Sequence, residues 1–389
     1  MGNVSAVKAL LELGVDKDVQ DRYRRTAFQN AINGGYYDCA NVLLDHGCGI
    51  HNVTVWGSTP LMAIMKKESP AANDIIRRLL LKGLCVTERN WCQETALHHL
   101  SRASAGEEVM RQRLQMLLDA GAGSVMEFKD SRGYTPLATA VSKDNHVLVR
   151  LLLEAGSKGD CITGDGRNIL HLAAEWGTVG VFWAIAELLI VAKEVTTIDI
   201  RTIVSPEVPY TPLGLFRQRM AQDATSAPAH WRSPNSQEIL AFEALLSFVR
   251  DHGITQESKT LLGMVPKIRL GNVKPVMQEL SRLAEAKLAA KIYSEAETFR
   301  VIKIQIEQGS WEDAIESLEE FVEVATARME ASPLMQESAD PPQHDISNEA
   351  ELDQIGNLEK EDSFDSGSIS LGEKQVLTVL EEEIVATAV

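Results

Sequence analysis

Chemistry in this chain would have to start from its cysteines and histidines. Cys39, His46, Cys48 and His51 lie close together in sequence and offer sulfur and nitrogen donors of the kind zinc takes. Their spacing matches no compact zinc signature, so no metal is expected there. Cys92 with His98 or His99 has the residue types of a thiol nucleophile and its base. A working dyad also needs a group that orients the base and donors for an oxyanion, and no neighbouring residue supplies either. The chain contains no phosphate-cradling glycine loop, no H-E-x-x-H and no G-x-S-x-G. These residues predict no catalysis and no cofactor.

Non-covalent recognition is the chemistry that is left. Tyr23, Trp56, Trp91, Arg132, Tyr134 and Arg167 are aromatic or guanidinium side chains, and each stands just ahead of a recurrent short motif. Rings and guanidinium groups dominate the energetics of protein interfaces, because they bury large area and bond in fixed geometry. They are the expected partner-binding set.

The motif that positions them is written several times with variations. It reads Arg25-Thr26-Ala27-Phe28, Ser58-Thr59-Pro60-Leu61, Glu94-Thr95-Ala96-Leu97-His98, Tyr134-Thr135-Pro136-Leu137, Asn168-Ile169-Leu170-His171 and Tyr210-Thr211-Pro212-Leu213. The first five copies follow a paired-apolar helix end and a glycine. Those glycines stand at 14, 47, 83, 121 and 156, in steps of 33, 36, 38 and 35. The threonine can cap a helix, proline fits its first turn, and the glycine suits a left-handed helix end. A period near 33 with T-P-L-H-x-A and L-L-x-x-G resembles the ankyrin repeat.

The resemblance implies an all-α ankyrin-repeat solenoid of helix-turn-helix units with short hairpin fingers. It also implies a non-catalytic scaffold or adaptor that binds protein partners through its concave face and fingers. In the same pattern His98 and His171 take the position that usually supports the loop by hydrogen bonding.

The array is expected over 1–255: an incomplete first unit at 2–14, units at 21–53, 54–87, 88–128, 129–162 and 163–200, and a degenerate sixth over 201–255. Beginning inside a repeat is what a piece of a longer ankyrin protein would do, and it carries one alternative expectation, a targeting fragment of a larger enzyme or signalling protein. Insertions lengthen the third unit at 101–108 and the sixth at 221–236, where loops can set specificity. A helical extension is expected over 256–330. Helix formers run from Val276 to Glu307 without an internal Gly or Pro, and Gly309-Ser310 interrupts them. Beyond, Ala314, Ile315, Leu318, Phe321, Val322 and Ala325 share one helical face. The stretch 309–318 resembles the second helix of a tetratricopeptide repeat.

Residues 331–389 carry 14 carboxylates and two lysines, with Phe364 the one aromatic. So little apolar area cannot offset ordering entropy, and a disordered acidic tail is expected. Within it Asp365-Ser366-Gly367-Ser368-Ile369-Ser370 resembles the D-S-G-x-x-S phosphodegron read by WD40-type ubiquitin-ligase adaptors. Phosphate on Ser366 and Ser370 would add the charge that an arginine-rich pocket reads. That motif carries the alternative expectation, a signal-regulated ankyrin inhibitor. The segment 375–389 regains an apolar helical face that can fold on a partner groove, and Thr387-Ala388-Val389 fits the carboxyl terminus taken by PDZ domains.

Composition limits the partners. The 389 residues carry a net charge of −17, which opposes sequence-blind binding to nucleic acid or anionic lipid. The apolar stretch Val179–Ala192 is too short to cross a bilayer. Five cysteines without a C-x-x-C point to a reducing compartment, so a cytoplasmic location is expected, with the nucleus as the alternative. No basic region precedes an apolar run, so no secretory leader is expected, and Ala6 departs from the myristoylation pattern. The expected protein is a monomer that binds protein partners, with no nucleic acid and no membrane.

Overall fold

The computed structural model describes residues 2–192, 211–221, 232–289 and 292–330. The chain divides into two compact units, 1–238 and 239–389. Among the described residues the regular structure is helical, with no strand.

The first unit is two rows of short helices. After α1 (Val4–Glu12) come five pairs: α2 (Ala27–Gly34) with α3 (Tyr37–Asp45), α4 (Pro60–Met65) with α5 (Ala72–Leu81), α6 (Ala96–Leu100) with α7 (Glu107–Asp119), α8 (Pro136–Ser142) with α9 (His146–Glu154), and α10 (Ile169–Trp176) with α11 (Val179–Ala192). In one row α2, α4, α6, α8, α10 and α12 (Pro212–Ala221) each pack on the next. In the other row α1, α3, α5, α7, α9 and α11 do the same. The segment read as an incomplete first unit therefore supplies one helix, in the second row.

The motif explains these helices residue by residue. Hydroxyls of Thr26, Thr59 and Thr135 accept from the amides of Gln29, Met62 and Ala138 at 3.2–3.4 Å, and Asn168 does the same for Leu170 and His171. Each such cap is worth about 1 kcal/mol. The apolar residues that follow, such as Phe28, Leu61, Leu97, Leu137 and Leu170, are buried between rows. Leu43, Leu44, Leu152 and Leu153 fill the second row in the same way. Gly14, Gly47, Gly83, Gly121 and Gly156 end its helices at φ between 71° and 95°.

The insertion at 101–108 is less free than its length implies. Ser101, Ala103 and Ala105 are buried, and the Asn145 amide donates to the carbonyls of Ser101 (3.3 Å) and Ala103 (2.9 Å). Residues 222–231 of the second insertion lie outside the described residues.

The helix α13 (Ser236–Leu262) runs through Gly253 and residue 255 without a break. In the second unit it is followed by α14 (Val265–Arg269), α15 (Val273–Ala289), α16 (Tyr293–Glu307) and α17 (Trp311–Glu330). The run read as continuous helix formers from Val276 to Glu307 is thus two helices that fold back on each other. Leu280 and Leu283 on α15 and Phe299 and Ile302 on α16 enter one core. Burying both faces against each other outweighs continuing a straight helix, even with no Gly or Pro at the turn. The face of α17 closes that core: Ala314, Ile315, Leu318 and Val322 are buried, and Phe321 meets Phe299 at 4.9 Å between ring centres. No helix among the described residues is long and apolar enough to cross a membrane.

Candidate recognition edge

Between successive pairs the chain makes a tight finger, and five fingers share one geometry. Each opens on a residue whose side-chain oxygen accepts from amides across the tip. Asp21 Oδ1 takes the amides of Tyr23 (2.8 Å) and Arg25 (2.9 Å), and Asp130 Oδ1 those of Arg132 and Tyr134. Thr54 takes Trp56 and Ser58, Asn90 takes Glu94, and Thr163 takes Arg167. The amide of each opening residue also donates to the carbonyl four residues on, as in Asp21 to Arg25 and Asp130 to Tyr134. The turn forces a left-handed residue three places after the opening one: Arg24, Gly57, Gln93, Gly133 and Gly166.

One main-chain bond per step ties neighbouring fingers together. The amide of Val55 donates to the Tyr23 carbonyl (3.0 Å), and that of Trp91 to Trp56 (3.1 Å). The amide of Ser131 donates to Cys92 (2.9 Å), and that of Gly164 to Arg132 (2.8 Å). A second tie runs from the first row of helices. His98 Nδ1 accepts from the Thr95 amide (3.1 Å), so Nε2 carries the proton it shares with the Tyr134 carbonyl (3.0 Å). Gln29 does the same work with an amide group, accepting from Thr26 and donating to the Asn52 carbonyl at 2.7 Å.

On this frame the six expected partner-binding residues separate into two sets. Trp56 and Trp91 are 55% and 71% exposed, and Arg132 is exposed as well. Tyr23, Tyr134 and Arg167 are half-buried. Tyr23 stacks on Trp56 at 6.0 Å and 17°, with the guanidinium groups of Arg22 and Arg25 over its ring at 4.7 and 4.6 Å. Arg132 covers Tyr134 at 4.8 Å. Arg167 is tied to Asp165 (3.1 Å) and to Glu175. Tyr23 and Trp56 therefore form one aromatic stack with arginines at its first tip, and Trp91 follows on the next finger, tied to Trp56 by a main-chain bond.

Carboxylates of the fingers serve inward. Burial pushes the Asp21 carboxyl up, but the amides of Arg25 and Tyr23, with Asn30 and the Arg25 guanidinium, hold it down at about 2. His99 bonding holds Glu94 well below the usual range against its partial burial, with help from Arg102 (2.6 Å) and Asn90 (2.9 Å).

Cys39 and Cys48 are buried, and burial, reinforced by Asp18, pushes the Cys48 thiol up to about 11. Among the described residues no three His, Cys, Asp or Glu side chains gather as metal ligands. Cys92 is exposed at its finger tip, while both ring nitrogens of His98 are committed to main-chain groups. Ser366 and Ser370 lie outside the described residues.

Two buried arginines escaped the sequence reading. Arg113 on α7 is fully buried and donates to Asn73 Oδ1 (2.8 Å) and to the carbonyls of Met65 (3.2 Å), Lys67 and Ser69 (2.8 Å). It thereby closes the turn between α4 and α5 in the preceding pair. Arg219 on α12 donates to the carbonyls of Ala174 (3.1 Å) and Gly177 (3.0 Å) at the end of α10. A lone arginine in a helix carries no sequence mark of burial, since its carbonyl partners depend on the register of the next pair.

Two family models match this chain, one for "Ankyrin repeats (3 copies)" over residues 100–199 and one for "Ankyrin repeats (many copies)" over 3–61. Among curated proteins it is similar to the potassium channel AKT2/3 of Arabidopsis thaliana, 28% identical over 162 residues, 41% of this chain and 19% of the channel. It is also similar to the E3 ubiquitin-protein ligase KEG of Arabidopsis thaliana, 27% identical over 189 residues, 45% of this chain and 11% of the ligase. The chain thus spans less than a fifth of the length of either relative. Among solved structures, the human ASB11 ankyrin repeat domain matches at a TM-score of 0.46 and 22% identity, covering 63% of this chain and 93% of that one. The ankyrin repeat domain of Bcl-3 matches at 0.40 and 23%, covering 54% and 86%.

Proposed function

This chain is an ankyrin-repeat protein, and from that premise we propose that it is a non-catalytic scaffold or adaptor whose finger edge holds a protein partner. Ankyrin repeats are a protein–protein interaction module; the finer role rests on the edge itself. The observation that carries it is the exposure of Trp56 and Trp91 on fingers locked by main-chain bonds. Exposed indoles on a rigid frame give contact area at little ordering cost, which is what an anchor residue needs. Arg132 adds a donor farther along the same edge. The five cysteines are free, in keeping with a reducing compartment such as the cytoplasm.

The test uses the full chain as bait, beside Trp56→Ala and Trp91→Ala variants and a Leu81→Ala control. Leu81 is exposed on α5, away from the fingers. Partners retained by the parent and the control but lost with either tryptophan support the reading. Equal retention by all four proteins overturns it.

The tail motif favours a second reading, in which phosphorylation of Ser366 and Ser370 governs turnover of the protein. An unchanged cellular half-life for the Ser366→Ala, Ser370→Ala variant removes that reading.

A further inference from the structure

We propose that the occupant of the first three fingers is a carboxylate-rich peptide segment. This deepens the reading of the finger edge as the recognition surface and rests on it.

The chain as a whole carries −17, so an outward cluster of cations is unusual on it. The finger carboxylates are spent on structure. Asp21 accepts from two amides, Asn30 and Arg25; Asp130 is buried on two amides; Glu94 is held by His99, Arg102 and Asn90. Asp165 pairs with Arg167. Of the three arginines of the first finger, only Arg25 is neutralised in return, by Asp21. Arg22 and Arg24 are exposed and have no carboxylate within ion-pair distance among the described residues.

Arg24 adds a second, independent sign. It occupies the left-handed position of the turn at φ 58°, where the second, fourth and fifth fingers have glycine. An arginine there carries strain that a glycine would not, and its exposed side chain makes no hydrogen bond or ion pair with the described residues. Its guanidinium stands free at the tip. Beside it the Tyr23–Trp56 stack and Trp91 offer faces for the aliphatic stems of a bound segment. Guanidinium groups bind carboxylates by paired, parallel hydrogen bonds, so two arginines without carboxylate partners at one tip, Arg22 over the Tyr23 ring and Arg24 beside it, select acidic side chains. A nucleic acid would meet the same rings and cations, but its many phosphates would also meet the field of a chain at −17. A short acidic peptide touches the tip alone.

The experiment titrates the full chain into fluorescein-labelled octaglutamate at low salt and follows anisotropy. The comparison is between Arg22→Glu/Arg24→Glu and Arg77→Glu/Arg300→Glu, which changes net charge equally at exposed sites off the edge. The expected result is saturable binding that the finger pair weakens about tenfold or more and the control pair leaves within about twofold. Equal weakening by both pairs, or no binding, overturns the proposal. Tighter binding of an eight-residue oligothymidylate also overturns it, in favour of nucleic acid. A partner lost with Trp91→Ala but indifferent to the finger charge reversal would leave the edge standing and remove its acidic occupant.

Discussion

Trp91 lies on Gly57. Its amide donates to the carbonyl of Trp56, and its ring comes so near that a β-carbon on Gly57 would stand 2.8 Å from Cδ1. The two exposed indoles are therefore one surface with a fixed spacing. A glycine is required there twice, once for its φ of 73° and once for the space. Gly57→Ala is expected to destabilise the chain by about 1–2 kcal/mol. It should also displace the Trp91 ring, which a shift in tryptophan emission would report. Unaltered emission and an unaltered urea midpoint would show that the ring is not seated on this turn.

Arg24 and Gln93 hold the same turn position without being glycine, at φ 58° and 61°. Arg24→Gly and Gln93→Gly should each stabilise by about 1 kcal/mol, because the left-handed backbone strains any L side chain. The two variants should part company in binding. Arg24→Gly removes a free guanidinium and is expected to weaken octaglutamate binding, whereas Gln93→Gly is expected to leave it unchanged. Denaturant midpoints and anisotropy titrations on the same two proteins decide both halves.

Much of this was legible from residue types at fixed spacing. Thr26, Thr59 and Thr135 announce helix starts because capping is local, and Gly47 or Gly121 announces helix ends for the same reason. The finger tips were legible too, since Tyr23 and Trp56 stand three residues, and Trp91 four, ahead of the threonines that open the next helices. Which tips are free was not. Tyr23 and Arg167 were read with Trp56 and Trp91, yet Trp56 and Glu175 become their neighbours only after folding, and only the turn lays Arg22 and Arg25 over the Tyr23 ring. The turn between α15 and α16 was missed because no Gly or Pro marks it. Burial of Phe299 against its neighbours on α15 and α17, a tertiary effect, decides it.

Arg113 shows the same limit and yields a sharp expectation. Its guanidinium satisfies three carbonyls and Asn73 at a fully buried site with no carboxylate among those contacts. Burial alone pushes its pKa down. Arg113→Ala would strand those acceptors in the interior and should cost about 3 kcal/mol or more. Arg113→Lys keeps the charge but not the planar fork, so it should recover only part of the loss. Urea denaturation of the three proteins checks the order parent, Lys, Ala. A lysine variant as stable as the parent would mean that charge rather than geometry matters at this turn.

His98 and Gln29 make equivalent bonds, and only one of them can titrate. Burial pushes the His98 and His99 pKa values below their ordinary 6.5. In the folded state His98 must stay neutral, because Nδ1 accepts from Thr95 while Nε2 donates to Tyr134. The unfolded chain takes up that proton as pH falls through 6.5, and the folded chain resists it. Stability is therefore lost as pH drops below about 6.5, by at most about 1.4 kcal/mol per pH unit for one such group. Glu94, whose pKa is lowered from 4.5 by its bond to His99, contributes stability that is lost only at still lower pH. His98→Gln should fold, since Gln29 already shows that the amide fits this role. It should also flatten the fall in stability between pH 7 and pH 5, leaving the part due to His99. Urea midpoints measured across that range for parent and variant decide it: parallel curves would mean that His98 accepts its proton without leaving the Tyr134 carbonyl.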